Sequence, residues 1–274
     1  MNNTWVNGVV SNQVSITDRG FSYGDGLFTT IKVTDSRCEL LTEHLVRLQQ
    51  GITALAITQI DFKVLLDEIS AIAKSLGSGV IKIVITRGEG KRGYSSIGCN
   101  SPTVVVSTSL LPEVYQAWQR DGIALGVSTI ALGINPLTAG LKHLNRLEQV
   151  LVKQQIDENQ WADAVVLDCQ ACIIETSMAN LFWRSGDTVY TPNLDFSGVK
   201  GLMRQQVLAH LNADGVEIVE DRFKLSSITH AQEIFMTNCL IGVVPVVAIE
   251  SKRYEIGRLT QQLQAMLNSK DANG

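Results

Sequence analysis

The sequence predicts an α+β fold built from two domains. A chain of 274 residues, 45% of them hydrophobic, is long enough for two moderate cores. Strand-like runs cluster between helical segments without the regular strand–helix–strand alternation of a doubly wound parallel sheet. The composition changes near Leu111 and Pro112. We therefore predict a smaller N-terminal α/β domain at 1–112, an interdomain linker at 113–121 and a larger C-terminal domain at 122–274.

The N-terminal part combines short strand-like runs with two amphipathic helices. Thr42 is a candidate N-cap for the first helix, whose apolar residues include Leu45 and Leu48. A glycine-punctuated loop is expected at 18–26. The predicted strands are 5–10, 13–17, 27–33, 80–87 and 103–109, and the second helix is 61–76.

The C-terminal part is richer in strands than in helices. Turn residues separate most of its apolar runs, and no internal repeat or low-complexity tract interrupts them. The predicted strands are 123–130, 164–167, 172–175, 180–184, 188–191, 216–219, 233–237 and 243–249, and the helices are 144–157, one after Gly201 and one from 257.

The bulk composition restricts the class of protein. A net charge of -4 argues against a nucleic-acid binder, because phosphate-binding surfaces carry a basic excess. The sequence shows no basic-then-apolar leader and no apolar run of membrane-spanning length, so we expect a cytoplasmic protein without membrane contacts. Cys169 and Cys172 form a CxxC pair without a second pair or suitably spaced histidines. We expect two cysteines that flank a turn and no metal site.

The run from Arg87 to Gly93 contains GxGxxG directly after a predicted strand. A dinucleotide fingerprint requires a helix at this point, because the helix N-terminus holds the pyrophosphate. A second strand follows instead, so we reject dinucleotide binding. Two interpretations remain open for Arg87, Lys91 and Arg92: they meet an anionic substrate, or they form a solvated hairpin tip.

Lys142 is the first candidate for chemistry. It lies between Gly140 and a run whose apolar residues recur at helical spacing, which predicts a core-facing helix that begins directly after the lysine. A lysine in such a position can be desolvated to a low-pKa amine suited to attack on a carbonyl. On position alone, a solvated lysine at a helix terminus is the commoner outcome. The recurring apolar residues are Leu144, Leu147, Val150 and Leu151.

Three further features describe parts of a binding site. Glu175 ends an apolar strand, where a carboxylate needs a cation such as a protonated pyridine, or hydrogen bonds, to offset its lost hydration. A glycine-rich loop runs into the helix after Gly201, whose N–H groups and dipole suit a phosphate. Arg47, on an otherwise apolar helix face, could add a phosphate contact. The ordinary alternatives are a solvent-facing glutamate, a common glycine before a helix, and an arginine whose stem covers apolar surface.

An amine, an acid and a phosphate cradle are the parts that a pyridoxal phosphate site needs. Their order and wording resemble the fold-type IV pyridoxal-phosphate enzymes, and within them the aminodeoxychorismate lyases, over nearly the whole chain. The KHLNRLEQ segment is far more specific than a generic lysine motif. The resemblance is carried by 18–30 (DRGFSYGDGLFTT), 43–48 (EHLVRL), 87–95, 142–149 (KHLNRLEQ), Glu175 with 179–182, 201–204 and 233–238.

The resemblance implies a D-amino acid aminotransferase-like fold with a barrel-like sheet in the C-terminal domain, and a homodimer that acts on a small-molecule substrate. It implies that Lys142 is the catalytic lysine that binds the cofactor, and that Glu175 meets the pyridine nitrogen. Thr30 matches a second catalytic position, although β propensity accounts for it equally well. The other implied contacts are Arg47, Asn180, Leu202, Met203, Asn238 and Cys239 for the cofactor, and Arg87, Arg92 and Tyr94 for the substrate.

The implied reaction converts 4-amino-4-deoxychorismate to 4-aminobenzoate and pyruvate, a step of folate biosynthesis. Two alternatives remain open. One is an aminotransferase of the same fold that acts on D-amino acids or branched-chain amino acids. The other is a binding or scaffold protein that kept the fold and lost the chemistry. The Thr29–Thr30 pair and residues 145–148 favour the lyase, whereas Lys142 and Glu175 do not separate the two enzymes.

Overall fold

The computed structural model of the chain describes residues 3–270, so the outer ends of both predicted domains, 1–2 and 271–274, lie outside the described residues. The described part divides into two compact units. Unit 1 extends to Pro112 and includes Leu141–Asn145; unit 2 consists of Glu113–Gly140 and the residues from Arg146 onward. The segment Leu141–Asn145 therefore packs with unit 1, although the sequence placed it in the C-terminal domain.

Unit 1, in its described residues, contains a six-stranded antiparallel sheet and three helices. The sheet order is β2–β1–β6–β5–β3–β4. The strands are β1 (Thr4–Val6), β2 (Val9–Val10), β3 (Gly26–Thr34), β4 (Arg37–Cys38), β5 (Gly79–Thr86) and β6 (Thr103–Ser109), and the helices are α1 (Arg19–Tyr23), α2 (Leu41–Ala54) and α3 (Phe62–Leu76).

The two faces of strand β3 have different surroundings: one is buried in the core of unit 1, and the other is only half-buried. Its buried and half-buried residues alternate, as the period of a strand requires. Leu27 and Ile31 lie on the buried face, in one hydrophobic cluster with residues of α2 and α3 such as Leu48 and Ile69. Phe28, Thr30 and Lys32 share the opposite face.

Unit 2 contains, in its described residues, a nine-stranded sheet, four α-helices and a 3-10 turn at Leu225–Ile228. The helices are α4 (Val114–Asp121), α5 (Leu147–Glu158), α6 (Leu202–Ala213) and α7 (Arg258–Lys270). The strands are β7 (Ile123–Val127), β8 (Asp163–Leu167), β9 (Ile173–Thr176), β10 (Asn180–Ser185), β11 (Thr188–Pro192), β12 (Glu217–Asp221), β13 (Glu233–Asn238), β14 (Gly242–Ile249) and β15 (Lys252–Arg253).

The sheet of unit 2 curls back on itself. Its order is β12–β11–β10–β13–β14–β7–β8–β9, with β15 paired to β14. Strand β9 also lies beside β10 and β11, which are not its hydrogen-bonded neighbours. The predicted α+β class and the barrel-like C-terminal sheet are confirmed. Among residues 3–270, no helix is both long and apolar enough to cross a membrane.

Local hydrogen bonds overturn several predictions near the N-terminus. The predicted strand 5–10 is a hairpin, because Asn7 and Gly8 adopt positive φ and form its turn. The predicted strand 13–17 is wrong: Ser15 Oγ accepts a hydrogen bond from Thr17 N, and such side-chain turns compete with strand pairing. The predicted loop 18–26 contains α1, because Asp18 caps the N–H of Gly20.

The predicted N-cap Thr42 is also wrong. Helix α2 begins at Leu41, and its N-cap is Leu40, which adopts a left-handed conformation at φ 51° without a side-chain capping bond. Thr42 therefore lies within the first turn of the helix. The cap position could not be identified from a polar side chain, because a leucine occupies it.

Three predictions near the unit boundaries are corrected. Residues 113–121, predicted as a linker, contain α4, because Tyr115 and Trp118 lie one helical turn apart and pack on the core of unit 2. Helix α5 begins at Leu147 rather than at 144. The residues predicted to face the core are also wrong in α5: Val152 and Ile156 are buried, whereas Leu147, Val150 and Leu151 are exposed.

Candidate active site

Lys142 lies in an extended segment beside β3, not at the start of a helix. Phe28 N donates to Lys142 O at 2.9 Å, and Leu144 N donates to Gly26 O at 3.0 Å. His143 forms an antiparallel bridge with Leu27. Because β3 binds these backbone groups, the segment cannot begin the helix that its apolar spacing suggested.

This pairing places the two predicted catalytic residues on one face of the sheet of unit 1. The bridge between Leu27 and His143 sets Lys142 directly opposite Phe28, on the same face. Thr30, two residues along β3, shares that face. The Lys142 Nζ atom lies 4.4 Å from the centroid of the Phe28 ring, and Lys82 Nζ lies 5.0 Å from it. The ring thus contacts the ammonium group of the candidate lysine.

Arg47 contacts the other side of β3. Its Nη2 donates to Thr29 Oγ1, and Thr29 Oγ1 lies 2.6 Å from Nδ1 of the fully buried His44. Burial, together with the charges of Arg47 and Lys142, lowers the pKa of His44 from 6.5 to about 3. His44 is therefore neutral at physiological pH. The Thr29 hydroxyl, which lies next to His44, accepts the hydrogen bond that positions Nη2 of Arg47.

The three predicted substrate residues lie in the loop after β5 but in different surroundings: one is engaged within the protein and two are exposed. Arg87 donates from Nε and Nη2 to the Asp25 carboxylate at 2.7 and 3.0 Å, and it also holds the carbonyls of Leu55 and Ala56 at the end of α2. These bonds engage Arg87 within the protein. Arg92 and Tyr94 are exposed on the loop. No helix occupies residues 87–102, so the loop lacks the element that a dinucleotide fingerprint requires.

Glu175 is buried near the end of β9, as its position in the sequence predicts. Its Oε2 accepts a hydrogen bond from Val199 N at 3.1 Å. Burial lowers the pKa of Arg146, while the negative charges of Glu175 and Glu148 act in the opposite direction. The carboxylate of Glu175 is therefore held by a backbone donor and faces a nearby guanidinium.

Asn180 fixes the loop that leads into α6. Its Nδ2 donates to Val199 O at 2.9 Å, and its Oδ1 accepts from Gly201 N at 3.2 Å. A Cβ atom on Gly201 would lie 2.3 Å from Asn180 Oδ1, so only glycine fits this position without movement. No side-chain hydrogen bond caps the start of α6, where Leu202 and Met203 form the first turn. The N-terminus of α6 retains the character of an anion site.

Asn238 and Cys239 form the turn between β13 and β14. Asn238 Nδ2 donates to Met178 O at 3.0 Å, while its Oδ1 accepts from Leu240 N and Ile241 N. Cys239 follows it and is half-buried. Asn238 therefore supports the turn through its side chain.

Cys169 and Cys172 flank the turn between β8 and β9, in the position that the sequence predicts. Cys169 is exposed and Cys172 is buried. Within residues 3–270, His, Cys, Asp and Glu side chains form no group of three suited to a metal ion.

Several site residues were not identified from the sequence. Phe28 could have been found, because the predicted strand 27–33 places residues 28 and 30 on one face. His44 and Asp25 could not, since their partners Thr29 and Arg87 are distant in the sequence. Pairings of this kind depend on the sheet and leave no local signal.

Comparison with known proteins assigns the chain to a family. The family model for class IV aminotransferases matches residues 26–249. An aminodeoxychorismate lyase of Vibrio harveyi is 44% identical over 97% of this chain and 99% of its own. A putative branched-chain-amino-acid aminotransferase of Methanocaldococcus jannaschii is 29% identical over 92% of this chain and 89% of its own.

Solved structures show the same relationship. The crystal structure of 4-amino-4-deoxychorismate lyase from Pseudomonas aeruginosa superposes with a TM-score of 0.92 at 36% identity, over 97% of this chain and 98% of that one. Branched-chain amino acid aminotransferase of Escherichia coli, at 21% identity and a TM-score of 0.85 over 97% and 93% of the two chains, shares the fold. The match to the family model and the close relatives show that this chain belongs to the class IV aminotransferase family.

Proposed function

We propose that this protein is a pyridoxal-phosphate-dependent lyase that converts 4-amino-4-deoxychorismate to 4-aminobenzoate and pyruvate, a step of folate biosynthesis. The close sequence relative and the structural neighbour with this name support the reaction. The observation that carries the proposal is the shared face of β3, on which Lys142 and Thr30 lie beside the Phe28 ring. An amine and a hydroxyl on one face are the groups that the proton transfer requires.

The donor set fits pyridoxal phosphate. Lys142 offers an amine for the aldehyde, and the buried Glu175 offers a carboxylate for the pyridine nitrogen. The uncapped start of α6, with Leu202 and Met203, and the guanidinium of Arg47 offer donors for the phosphate. We assign Asn180 and Asn238 to holding the loops around these groups, with Cys239 in the turn that Asn238 fixes.

When bound, the cofactor supplies an electron-withdrawing ring that delocalises negative charge from the substrate carbon that bears the amine. Lys142 Nζ takes the proton from that carbon. The buried Glu175 carboxylate would accept a hydrogen bond from the pyridine nitrogen of the bound cofactor and so keep that nitrogen protonated. The enolpyruvyl group leaves with the electron pair of its C–O bond, which makes the ring aromatic. Its methylene carbon then takes up one proton, so the products are 4-aminobenzoate and pyruvate and no external oxidant is needed. We assign Thr30 to orienting the amine or the leaving group.

Arg92 and Tyr94 are our candidates for the substrate carboxylates, because both side chains are exposed on the loop after β5. We assign Arg87 a different role. Its guanidinium is engaged by Asp25 and by the end of α2, so it supports the loop.

The competing function is an aminotransferase for D-amino acids or branched-chain amino acids, which the relative in Methanocaldococcus jannaschii favours. Purified protein is incubated with 4-amino-4-deoxychorismate alone, and separately with D-alanine or a branched-chain amino acid plus 2-oxoglutarate. Equal amounts of 4-aminobenzoate and pyruvate without a keto acid support the lyase. Transamination alone rejects it.

A variant series tests whether Lys142 carries the cofactor. Lys142→Ala should abolish product formation and the absorbance of the bound cofactor near the visible edge. The exposed Lys153 pairs with Asp157, so Lys153→Ala is the control and should retain both. A wild-type protein without cofactor absorbance would instead indicate a scaffold that kept only the fold.

We also propose that the protein is a cytoplasmic homodimer. The exposed Leu147, Val150 and Leu151 form an apolar stripe on α5, which suits contact with a second copy. Four free thiols suit a reducing compartment; they belong to Cys38, Cys99, Cys169 and Cys172. Cell fractionation tests the location, and light scattering after size-exclusion chromatography tests the dimer.

A further inference from the structure

The loop between β5 and β6 carries Arg92 and Tyr94 but has little structure of its own. In residues 87–102 the structure describes no helix, and the only strand-like residue is the isolated bridge at Glu89. The side chain of Tyr94 is 88% exposed. A segment of this kind is ordered where other groups hold its backbone.

Arg19 holds this backbone at three consecutive residues. Its Nη1 donates to Gly93 O at 2.9 Å and to Ser95 O at 3.1 Å, and its Nη2 donates to Tyr94 O at 3.0 Å. Arg19 is only 4% exposed. A planar fork that binds three carbonyls fixes the shape of the loop in a way that the single ammonium of lysine cannot.

Tyr23 adds a fourth point of attachment. Its hydroxyl accepts a hydrogen bond from Gly93 N at 2.9 Å, and its ring lies 5.5 Å from the ring of Tyr94. The Arg19 guanidinium lies 4.8 Å from the Tyr23 ring centroid. Gly90 packs against Arg19 so closely that a Cβ atom there would lie 2.8 Å from Arg19 Cδ. The loop is thus attached at both its base and its tip.

Asp25 orients Arg19. It accepts from Arg19 Nε at 2.8 Å and from Arg87 Nε at 2.7 Å. Burial raises the pKa of Asp25, but the hydrogen bonds from Arg87 and Arg19 outweigh it, so the net pKa lies below its usual value. Buried ion pairs of this kind lose hydration and are a weak source of stability. Their main effect here is to fix positions.

We infer that Arg19 is a positioning residue for substrate recognition, because it fixes the backbone at 93–95 and thereby sets the approach of Arg92 and Tyr94 to an anionic substrate. Asp25 and Tyr23 complete the arrangement. The inference rests on the proposed function. Arg19 acts through the loop, since its hydrogen bonds are to Asp25 and to the loop carbonyls.

The test combines kinetics with proteolysis of the holoenzyme. Arg19→Lys should raise the KM for 4-amino-4-deoxychorismate at least tenfold and change kcat less than threefold, with cofactor affinity unchanged. Trypsin cleaves after Lys91 and Arg92, so limited trypsin digestion followed by mass spectrometry should show at least tenfold faster cleavage in this loop. Arg120 is exposed and pairs with Asp121, so Arg120→Lys is the matched control and should behave as wild type.

A second variant keeps the test valid where Arg19→Lys fails to fold. Tyr23→Phe removes only the acceptor for Gly93 N and should raise both the KM and the rate of loop cleavage about threefold. Unchanged KM and unchanged cleavage in folded variants overturn the inference, as does a loss confined to kcat. If the wild-type protein forms no 4-aminobenzoate, the proposed function is rejected instead. The rates of trypsin cleavage still show whether Arg19 holds the loop.

Discussion

The ammonium group of Lys142 lies over the ring of Phe28, with Nζ 4.4 Å from the ring centroid, and the backbones of the two residues are joined by a hydrogen bond of 2.9 Å. The pairing with β3 therefore sets the position of the lysine, and the aromatic ring sets the direction of its side chain. A cation above a ring is attracted by the negative face of the ring. Phe28 is accordingly placed to orient the proposed catalytic amine.

Phe28→Leu should reduce kcat while leaving the fold intact, because leucine keeps an apolar side chain but lacks the ring face. A cation–π contact contributes about 0.5–2 kcal/mol, which corresponds to a loss of about 2- to 30-fold in rate. Steady-state formation of 4-aminobenzoate measures it. Phe21→Leu is the control, because Phe21 is 74% exposed. An unchanged kcat in Phe28→Leu would show that the backbone pairing alone positions Lys142.

Glu175→Gln separates the charge of this residue from its structural hydrogen bond. The glutamine oxygen can still accept from Val199 N, so the loop before α6 should stay in place and the melting temperature should change little. The rate of product formation should fall about 100- to 1,000-fold, the usual effect of removing one preorganised electrostatic group. Stopped-flow and steady-state assays measure the loss.

The exposed Glu158, on α5, provides the matched control for this change. Glu158→Gln should retain full activity and full cofactor binding. Loss of cofactor or of the folded state in Glu175→Gln would indicate that the carboxylate serves structure rather than chemistry. Full activity in Glu175→Gln would reject its assignment as the partner of the pyridine nitrogen.

His44 gives the protein a specific dependence of stability on pH. The folded pKa of about 3 lies below the ordinary value of 6.5, so between these values the unfolded histidine binds a proton and the folded one does not. Stability therefore rises with pH in this window and is lost as the pH falls. The expected slope is about 1.4 kcal/mol per pH unit.

Urea unfolding of wild type and His44→Gln between pH 3 and 8 measures this contribution. The difference in their free energies of unfolding should shrink as the pH falls below about 6.5 and should stay constant above it. His230 is exposed, so His230→Gln should show the slope of wild type. Parallel slopes for wild type and His44→Gln would show that His44 titrates normally in the folded protein.

The sequence predicted well those elements whose signals are local. Helix α3 follows its N-cap Asp61, which accepts from the N–H groups of Lys63 and Val64, and the predicted range 61–76 includes it. Strand β6 occupies the predicted range 103–109, because its β-branched residues at 103–106 form one contiguous run after the turn residues Ser101 and Pro102. Both elements are specified by residues that lie close together in the chain.

The wrong prediction for the Lys142 segment involves a partner distant in the sequence. Lys142 has helix-like neighbours, but the backbone of β3, more than 100 residues earlier, binds its segment in an extended form. The apolar spacing of Leu147, Val150 and Leu151 is real, yet these residues face outward because Val152 and Ile156 fill the core. Periodicity identifies an apolar face without showing what covers it.

That outward face yields a final prediction, on the proposed homodimer. Leu147, Val150 and Leu151 lie at spacings of three and four residues, so they form one stripe on α5, with exposures of 71%, 60% and 42%. If a second copy covers this stripe, Val150→Asp buries an unpaired carboxylate in the interface. Such burial costs several kcal/mol. We expect the dissociation constant of the dimer to rise at least about 100-fold, measured by sedimentation velocity over a range of concentrations.

The exposed Asn212 on α6 provides the control, because Asn212→Asp adds the same charge away from the stripe and should leave the dimer intact. A dimer of wild-type strength in Val150→Asp would place the interface elsewhere on the chain, and a monomeric wild type would reject the homodimer itself.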